Sequence, residues 1–363
     1  MEKMHKTEIQ KEKAIIVGVA FNKNGVDFDK ELEELESLCF TAGLEVVGRT
    51  SQNIKEKTPA TLLGSGKVEE IATLVLALGA DVVIVDTELS GSQINNIASV
   101  CKVKVIDRSM LILDIFAMRA STNEGRLQVK LAQLKYALPR ISSISGSAGR
   151  FGSGGVGMRG PGETKLEVDK RTIRDNITRL EKEILRLKNQ RILQKNERKK
   201  NRIKQVAIVG YTNAGKSTLM NTITKSGIYA DDLLFATLDT TSRNLFLGQD
   251  KKVILVDTVG FIDKLPHAFI QAFNATLEET SDADLLVHVV DISDKNYEDK
   301  MQTIDEVLKE IHADHIPKIV VYNKVDKMKT PFVVPDGAVL ISAKNNLGID
   351  ALKQKISLTL FGE

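Results

Sequence analysis

Two short runs in this chain carry residue types that suit phosphate and metal chemistry. In QVAIVGYTNAGKST, Gly210, Gly215, Lys216 and Ser217 stand at the GxxxxGK[ST] spacing, between a run of apolar β-formers and a helical pattern. Such a turn predicts that the backbone N–H groups from Asn213 to Ser217 cradle a β-phosphate. Lys216 then supplies a point charge to the β- and γ-phosphates, and the Ser217 hydroxyl is a candidate ligand for Mg2+. Tyr211, Thr212, Ala214 and Thr218 complete the lining of this turn. In KKVILVDTVG, an apolar strand runs into Asp257, Thr258, Val259 and Gly260. Asp257 is expected to hold Mg2+ through a water, and the Gly260 N–H to bond the γ-phosphate and so sense its presence. Lys216 and Gly260 are therefore candidate catalytic groups.

Two further strand ends choose a base. KIVVYNKVD carries Asn323, Lys324, Val325 and Asp326, and AVLISAK carries Ser342, Ala343 and Lys344. The Asp326 carboxylate accepts from two N–H donors on the edge of guanine, whereas adenine turns an acceptor toward it. A site built on such bonds rejects the mispaired base by ~10⁴ or more. Asn323 is expected to brace the loops and approach N7, the Lys324 stem to cover the ring face, and the Ala343 N–H to reach O6. GTP and GDP are the expected ligands. Between the two phosphate motifs lies LFATLDTTSRN, where a threonine hydroxyl would complete the Mg2+ shell. Thr237, Thr240 and Thr241 all qualify chemically, and Phe235, Ala236, Leu238 and Asp239 are expected beside the nucleotide.

The elements that must position these residues follow from periodicity. A chain of 363 residues with 42% hydrophobic content is long enough for two or three domains. From residue 13 to about 120, the runs AIIVGV, EVVGRT, DVVIVD and KVKVID alternate with helical patterns, which predicts a parallel α/β domain over residues 1–120. Within it, Gly64-Ser65-Gly66-Lys67 resembles a phosphate loop but lacks its first glycine and the hydroxyl after Lys67, so it reads as a turn capping the next helix. Residues 204–363 form a P-loop G domain. Cys39 and Cys101 sit in apolar surroundings without a CxxC pair and read as core thiols. The charged start and the lack of any stretch near the ~20 apolar residues of a membrane span predict a cytoplasmic protein.

Over residues 121–203 the strand patterns give way to two stripes at 3.5-residue spacing, Leu127, Leu131, Leu134, Leu138 and then Leu166, Ile173, Ile177, Leu180, Ile184, Leu187. They predict an antiparallel helical hairpin with a glycine-rich tip over 145–162. Gly152, Gly154 and Gly157 in that tip match G-x-G-x-x-G, but no strand precedes them, so the dinucleotide reading fails its context. A bland linker stands as the alternative, although a linker does not normally alternate its glycines with Arg150, Phe151, Met158, Arg159 and Pro161. That mixture of cations, stacking surface and bare backbone suits nucleic acid. The basic run LKNQRILQKNERKKNRIK that follows reads either as a solvated helix face or as a track for a phosphate backbone.

GYTNAGKST, LFATLD, DTVGFI and LPHAFIQAFNATLEET, preceded by GSGGVGMRGPGETKLE, closely resemble the HflX family of GTPases over nearly the whole chain. The resemblance implies that the threonine of FATLD, Thr237, is the metal ligand and third candidate catalytic group; Thr240 stands where the family commonly has proline. It implies a monomeric, Mg2+-dependent GTP hydrolase whose partners are the large ribosomal subunit with its 23S rRNA and the 70S ribosome. Characterised members separate the subunits of stalled ribosomes, with the inter-helix loop near the peptidyl-transferase region. Joined to that implication, Arg150, Gly154, Gly155, Gly157, Arg159 and Gly160 become the RNA-binding candidates, and the basic run gains weight as an rRNA-facing surface. Some members carry a further C-terminal domain, whose role is not carried over to a chain ending SLTLFGE. Phe261 follows DTVG where many GTPases have a water-orienting glutamine, so intrinsic hydrolysis is expected to be slow and stimulated by the large subunit. A large-subunit assembly GTPase, or an RNA-binding scaffold with a purely structural nucleotide site, stand as alternatives.

Overall fold

The computed structural model describes residues 11–21, 28–141, 165–200, 203–224, 234–235, 241–248, 251–262, 279–328 and 332–362. It divides into two compact units, Met1–Ile115 with Gln133–Arg179, and Phe116–Ala132 with Leu180–Glu363.

The first unit is built on a parallel sheet in the order β2-β1-β3-β4, from β1 Lys13–Phe21, β2 Glu45–Ile54, β3 Val82–Val85 and β4 Lys104–Asp107. Helices cover a parallel sheet on both faces, so its strands are apolar without alternation. All four residues of β3 are buried, as are Ala14 to Ala20 of β1. The helix Gly91–Cys101 starts at a capping box in which the Ser90 side chain and Gln93 satisfy each other's backbone amides. Gly64 is the N-cap of the helix Ser65–Leu78, and the Lys67 ammonium is spent on Thr50 and Glu70, so the phosphate-loop lookalike is a helix start. Cys39 and Cys101 are buried free thiols, and burial pushes the Cys39 thiol up to about 12.

At the carboxyl ends of β3 and β4 the buried Arg108 guanidinium bridges Asp86, at 2.7 Å, and Glu34. Asp107 accepts from the Tyr136 hydroxyl, and Arg140 lies over the Tyr136 ring while donating twice to the Leu89 carbonyl at 3.1 and 3.0 Å. These bonds fix the chain just before residues 142–164, which lie outside the described residues together with Arg150, Gly154, Gly155, Gly157, Arg159 and Gly160. Helices Asn123–Ala137 and Lys165–Lys200 occupy the stretch with 3.5-residue stripes; Leu131 and Leu180 are buried, and Leu127, Leu134, Ile173, Ile177 and Ile184 are half-buried. The side chains of residues 191–200 are outside the description, and Lys204, last of the basic run, pairs with Asp284 at 2.8 Å.

The second unit carries a six-stranded sheet in the order β10-β9-β8-β5-β7-β6. Its strands are β5 Lys204–Gly210, β6 Thr241–Phe246, β7 Lys252–Asp257, β8 Leu285–Asp291, β9 Lys318–Asn323 and β10 Val339–Leu340. Only β6 runs antiparallel, against β7. Val206, Ile208, Leu255, Val287, Val289 and Val321 pack against Leu219 and Ile223 of helix Lys216–Thr224 and Leu352 and Ile356 of helix Ile349–Phe361. No described helix of the protein is long and apolar enough to cross a membrane.

On the centre of β8, His288 is 1% exposed and its Nδ1 has no hydrogen-bond partner. Burial, reinforced by Lys318, pushes the imidazole down from 6.5 to about 4. The folded value lies below the unfolded one, so the unfolded chain binds more protons between them. Stability is therefore full above pH 6.5 and is lost as pH falls toward about 4, by up to ~3 kcal/mol from this residue. Denaturant unfolding of wild type and His288→Val across that window is expected to show the slope in wild type and a shallower one in the variant; equal slopes would remove His288 as its source.

Candidate nucleotide site

Four of the motif loops leave the carboxyl ends of β5, β7, β9 and β10 in one sheet, the edge where open α/β sheets bind ligands. Residues 211–215 turn β5 into the helix Lys216–Thr224. Asn213 takes a left-handed φ of 59°, which asparagine tolerates, and Gly215 a φ of 95°. A Cβ on Gly215 would lie 2.3 Å from the Asn323 amide nitrogen, so only glycine fits. The Lys216 ammonium is buried under its own turn, donating to the carbonyls of Gly210 at 3.1 Å and Tyr211 at 2.9 Å. Burial pushes Lys216 down to about 8, with Asp257 opposing the shift and Lys324 adding to it.

Ser217 donates from Oγ to Oδ2 of the buried Asp257 at 2.8 Å. A hydroxyl and a carboxylate side by side are the oxygen donors that the hard, oxygen-seeking Mg2+ takes. Thr258 is fully buried and spends its hydroxyl on the Ile208 carbonyl at 2.7 Å, which pins the strand-to-loop exit before Val259. Gly260 sits so close to the phosphate turn that a Cβ there would lie 2.8 Å from Thr212 Cγ2 and 2.9 Å from Lys216 Nζ.

On the base side, Asn323 is 2% exposed and ties two loops together. Its Nδ2 donates to the Ala214 carbonyl at 2.9 Å, and its Oδ1 accepts from the Ala343 N–H at 3.0 Å. This bond takes up the Ala343 N–H, the donor expected to reach guanine O6, so a bound base would have to share it. Lys324, at a φ of 66°, donates to the Asn213 carbonyl at 2.7 Å and pairs with Asp291 at 2.8 Å. The Ser342 hydroxyl bonds Asp326 Oδ1 and holds that exposed carboxylate below its usual range, keeping it a pure acceptor; Val325 opens the short 3-10 turn around it and Lys344 is exposed.

Some of the site was not anticipated. Phe261 forms a parallel bridge with Tyr211, in which Thr212 N donates to the Phe261 carbonyl at 2.7 Å and Phe261 N to the Gly210 carbonyl at 3.2 Å. Lys300 lies 4.5 Å from the Tyr211 ring centroid while paired with Asp294. Backbone pairing and a distant lysine leave no spacing signal in sequence; Asp291, at the end of the apolar run of β8, does. Phe235 is buried at a φ of 53° and meets Phe116 edge-on, with centroids 4.7 Å apart. Ala236, Thr237, Leu238, Asp239 and Thr240 lie outside the described residues, while Thr241 begins β6 opposite Asp257.

Three family descriptions match in succession: GTP-binding GTPase N-terminal over residues 29–117, GTP-binding GTPase middle region over 119–198, and 50S ribosome-binding GTPase over 205–324. The chain is 49% identical over 356 residues to the GTPase HflX of Caldanaerobacter subterraneus subsp. tengcongensis, spanning 97% of this chain and 82% of that one. The chain belongs to the HflX GTPase family. The Escherichia coli GTPase HflX is 42% identical over 360 residues, 97% of this chain and 84% of its own. Among solved structures, a GTP-binding protein from Sulfolobus solfataricus in complex with GDP shares the fold at a TM-score of 0.50 and 24% identity, covering 96% of this chain and 98% of that one. As an HflX-family GTPase the protein binds and hydrolyses GTP, and its G domain is of the ribosome-binding kind.

Lys216 gives this site a pH signature. Phosphate charge raises the pKa of an ammonium it contacts, so a lysine near 8 in the free protein takes up a proton as nucleotide binds. Uptake of about half a proton per GDP is expected at pH 8, and close to none at pH 6.5. Calorimetric titrations in buffers of different ionisation enthalpy measure it; an uptake of zero throughout would contradict the buried, depressed lysine.

Proposed function

We propose that the protein is a Mg2+-dependent GTPase that binds the large ribosomal subunit and separates the subunits of stalled or inactive 70S ribosomes, with hydrolysis resetting the factor. The observation that carries the nucleotide part is the convergence of the loops after β5, β7, β9 and β10, joined through Asn323. In this reading the amides of 213–217 cradle the β-phosphate, Lys216 neutralises charge on the β- and γ-phosphates, and the Gly260 N–H meets the γ-phosphate. Ser217 and Thr237, with Asp257 through a water, would hold Mg2+, which when bound offsets charge on the phosphate oxygens. Asp326 reads the guanine edge as an acceptor whose ionisation Ser342 protects.

Phe261 cannot orient water by hydrogen bonding, so hydrolysis is slow alone and is accelerated when the large subunit repositions the segments around Thr237 and Gly260. The ribosome-binding description of residues 205–324 supports the partner. The residues proposed to meet rRNA are those of the glycine-rich stretch, where small residues let the backbone approach phosphates and Arg150 and Arg159 add charge and stacking.

Replacing Arg150 and Arg159 with alanine removes two planar cations, each able to stack on a base for ~1–3 kcal/mol. Pelleting with 50S particles and release of free subunits from 70S ribosomes, followed on sucrose gradients with GTP, are expected to fall about tenfold or more in the double variant. Nucleotide titration on the same preparation is expected to give unchanged GTP affinity. Loss of GTP affinity with intact pelleting would assign the stretch to a nucleotide site instead. Wild-type binding to 50S particles without subunit release from 70S would favour an assembly role.

A further inference from the structure

The connection from helix Lys216–Thr224 to β6 carries Thr237, and the chain is held on either side of that residue. Downstream, Thr241 begins β6 opposite Asp257, the carboxylate that accepts from the Ser217 hydroxyl. Upstream, Phe235 is 2% exposed and stands at a φ of 53°, in the left-handed region that a bulky side chain enters only under constraint. A conformation of this kind persists where the surroundings over-determine it, and such positions gather at ligand clamps and switch segments.

The constraint on Phe235 is aromatic. Its ring meets that of Phe116 at a centroid distance of 4.7 Å with the planes at 86°, so that the positive edge of one ring faces the negative face of the other. Phe116 stands near the end of helix Arg108–Arg119, 119 positions before Phe235. It lies outside the ribosome-binding GTPase match of residues 205–324, yet it belongs to the same compact unit as the nucleotide loops. At 1% exposure it is among the largest fully buried side chains, and a ring packed that closely has no room to follow a moving partner. Phe116 is thus the fixed member of the pair. Two peptide links separate Phe235 from Thr237, so the two Cα atoms can be no more than about 8 Å apart. An anchored Phe235 therefore confines the threonine before any nucleotide arrives, and ordering a confined group costs less than ordering a free one.

We propose that Phe116 is a positioning residue of the GTPase site: by clasping Phe235 it holds the switch threonine where it can serve the GTP-bound state, and so strengthens the preference for GTP over GDP. This rests on the reading of Thr237 as the Mg2+ ligand of that state. Phe116 acts through Phe235 and the two links that follow, without contact to nucleotide or metal. The placement of the switch threonine is thereby tied to a residue that the G domain itself does not contain.

Phe116→Leu keeps most of the buried volume and removes the aromatic contact, and Phe235→Gly removes it from the other side while tolerating the left-handed backbone. The measurement, on the full chain with Mg2+, is the ratio of affinities for a non-hydrolysable GTP analogue and for GDP, in each variant and again in combination with Thr237→Ala. Phe116→Leu is expected to lower the ratio about fivefold or more and Phe235→Gly at least as far, with GDP affinity within about twofold of wild type. In the Thr237→Ala background neither change is expected to lower the ratio further, because a residue that acts through Thr237 then has nothing to position. A ratio unchanged in either variant, an equal loss of affinity for both nucleotides, or an effect that persists without the Thr237 hydroxyl would overturn the assignment and leave Phe116 a packing role. A Thr237→Ala protein with the wild-type ratio would instead overturn the metal-ligand reading beneath it.

Discussion

A buried carboxamide has two hydrogen-bonding ends, and in this protein Asn323 uses one for the carbonyl of Ala214 and the other for the amide of Ala343. Each of those backbone groups sits at the inner edge of a loop that the sheet does not pair. Left unsatisfied in a buried setting, each costs ~1–3 kcal/mol. The turn after β5 and the loop after β10 are thereby made one object, although 129 positions separate Ala214 from Ala343 in the chain. Gly215 belongs to the same constraint, since any side chain there would occupy the space of the Asn323 amide. Lys324 repeats the link one residue on, through the carbonyl of Asn213.

Around this brace, four further described groups of the site are each held by a named contact. Lys216 is folded under its own carbonyls, Ser217 is held to Asp257, Asp326 is held by Ser342, and Gly260 is pressed against Thr212 by the bridge between Tyr211 and Phe261. A site whose dipoles are fixed before the ligand arrives spends little binding energy on ordering. Phe261 acquires a second meaning here. Its ring removes a water-orienting amide from the usual position, while its backbone aligns the Gly260 loop with the phosphate turn.

Much of this was legible in the sequence, because parallel strands buried on both faces must be apolar runs and because phosphate chemistry demands glycine, lysine and a hydroxyl at fixed spacing. AIIVGV, QVAIVG, KKVILVD and KIVVYN all form strands, and the motif residues 210–218, 257–260, 323–326 and 342–344 all emerge at one sheet edge. The false phosphate loop at Gly64 to Lys67 was also separable, since no hydroxyl follows its lysine and Val68 instead joins a helix core. Pairings between distant positions were not legible. Nothing in the spacing of Ala343 says that its N–H goes to Asn323 rather than to a base, that Lys300 lies over Tyr211, or that His288 is sealed into β8. Those depend on which strands become neighbours, and the local pattern of a strand does not encode its neighbour.

If the brace is what makes the site, its loss must be felt before any nucleotide binds. The direct measurement is calorimetric unfolding of the nucleotide-free protein as wild type and Asn323→Ala, paired with GDP titration. The account predicts that the transition of the nucleotide-binding unit falls by about 4 °C or more in the variant, and that GDP affinity falls more than about tenfold with it. An Asn323→Ala protein that unfolds at the wild-type temperature and loses only GDP affinity would contradict it, and would make Asn323 a contact to the base rather than the tie that holds the loops.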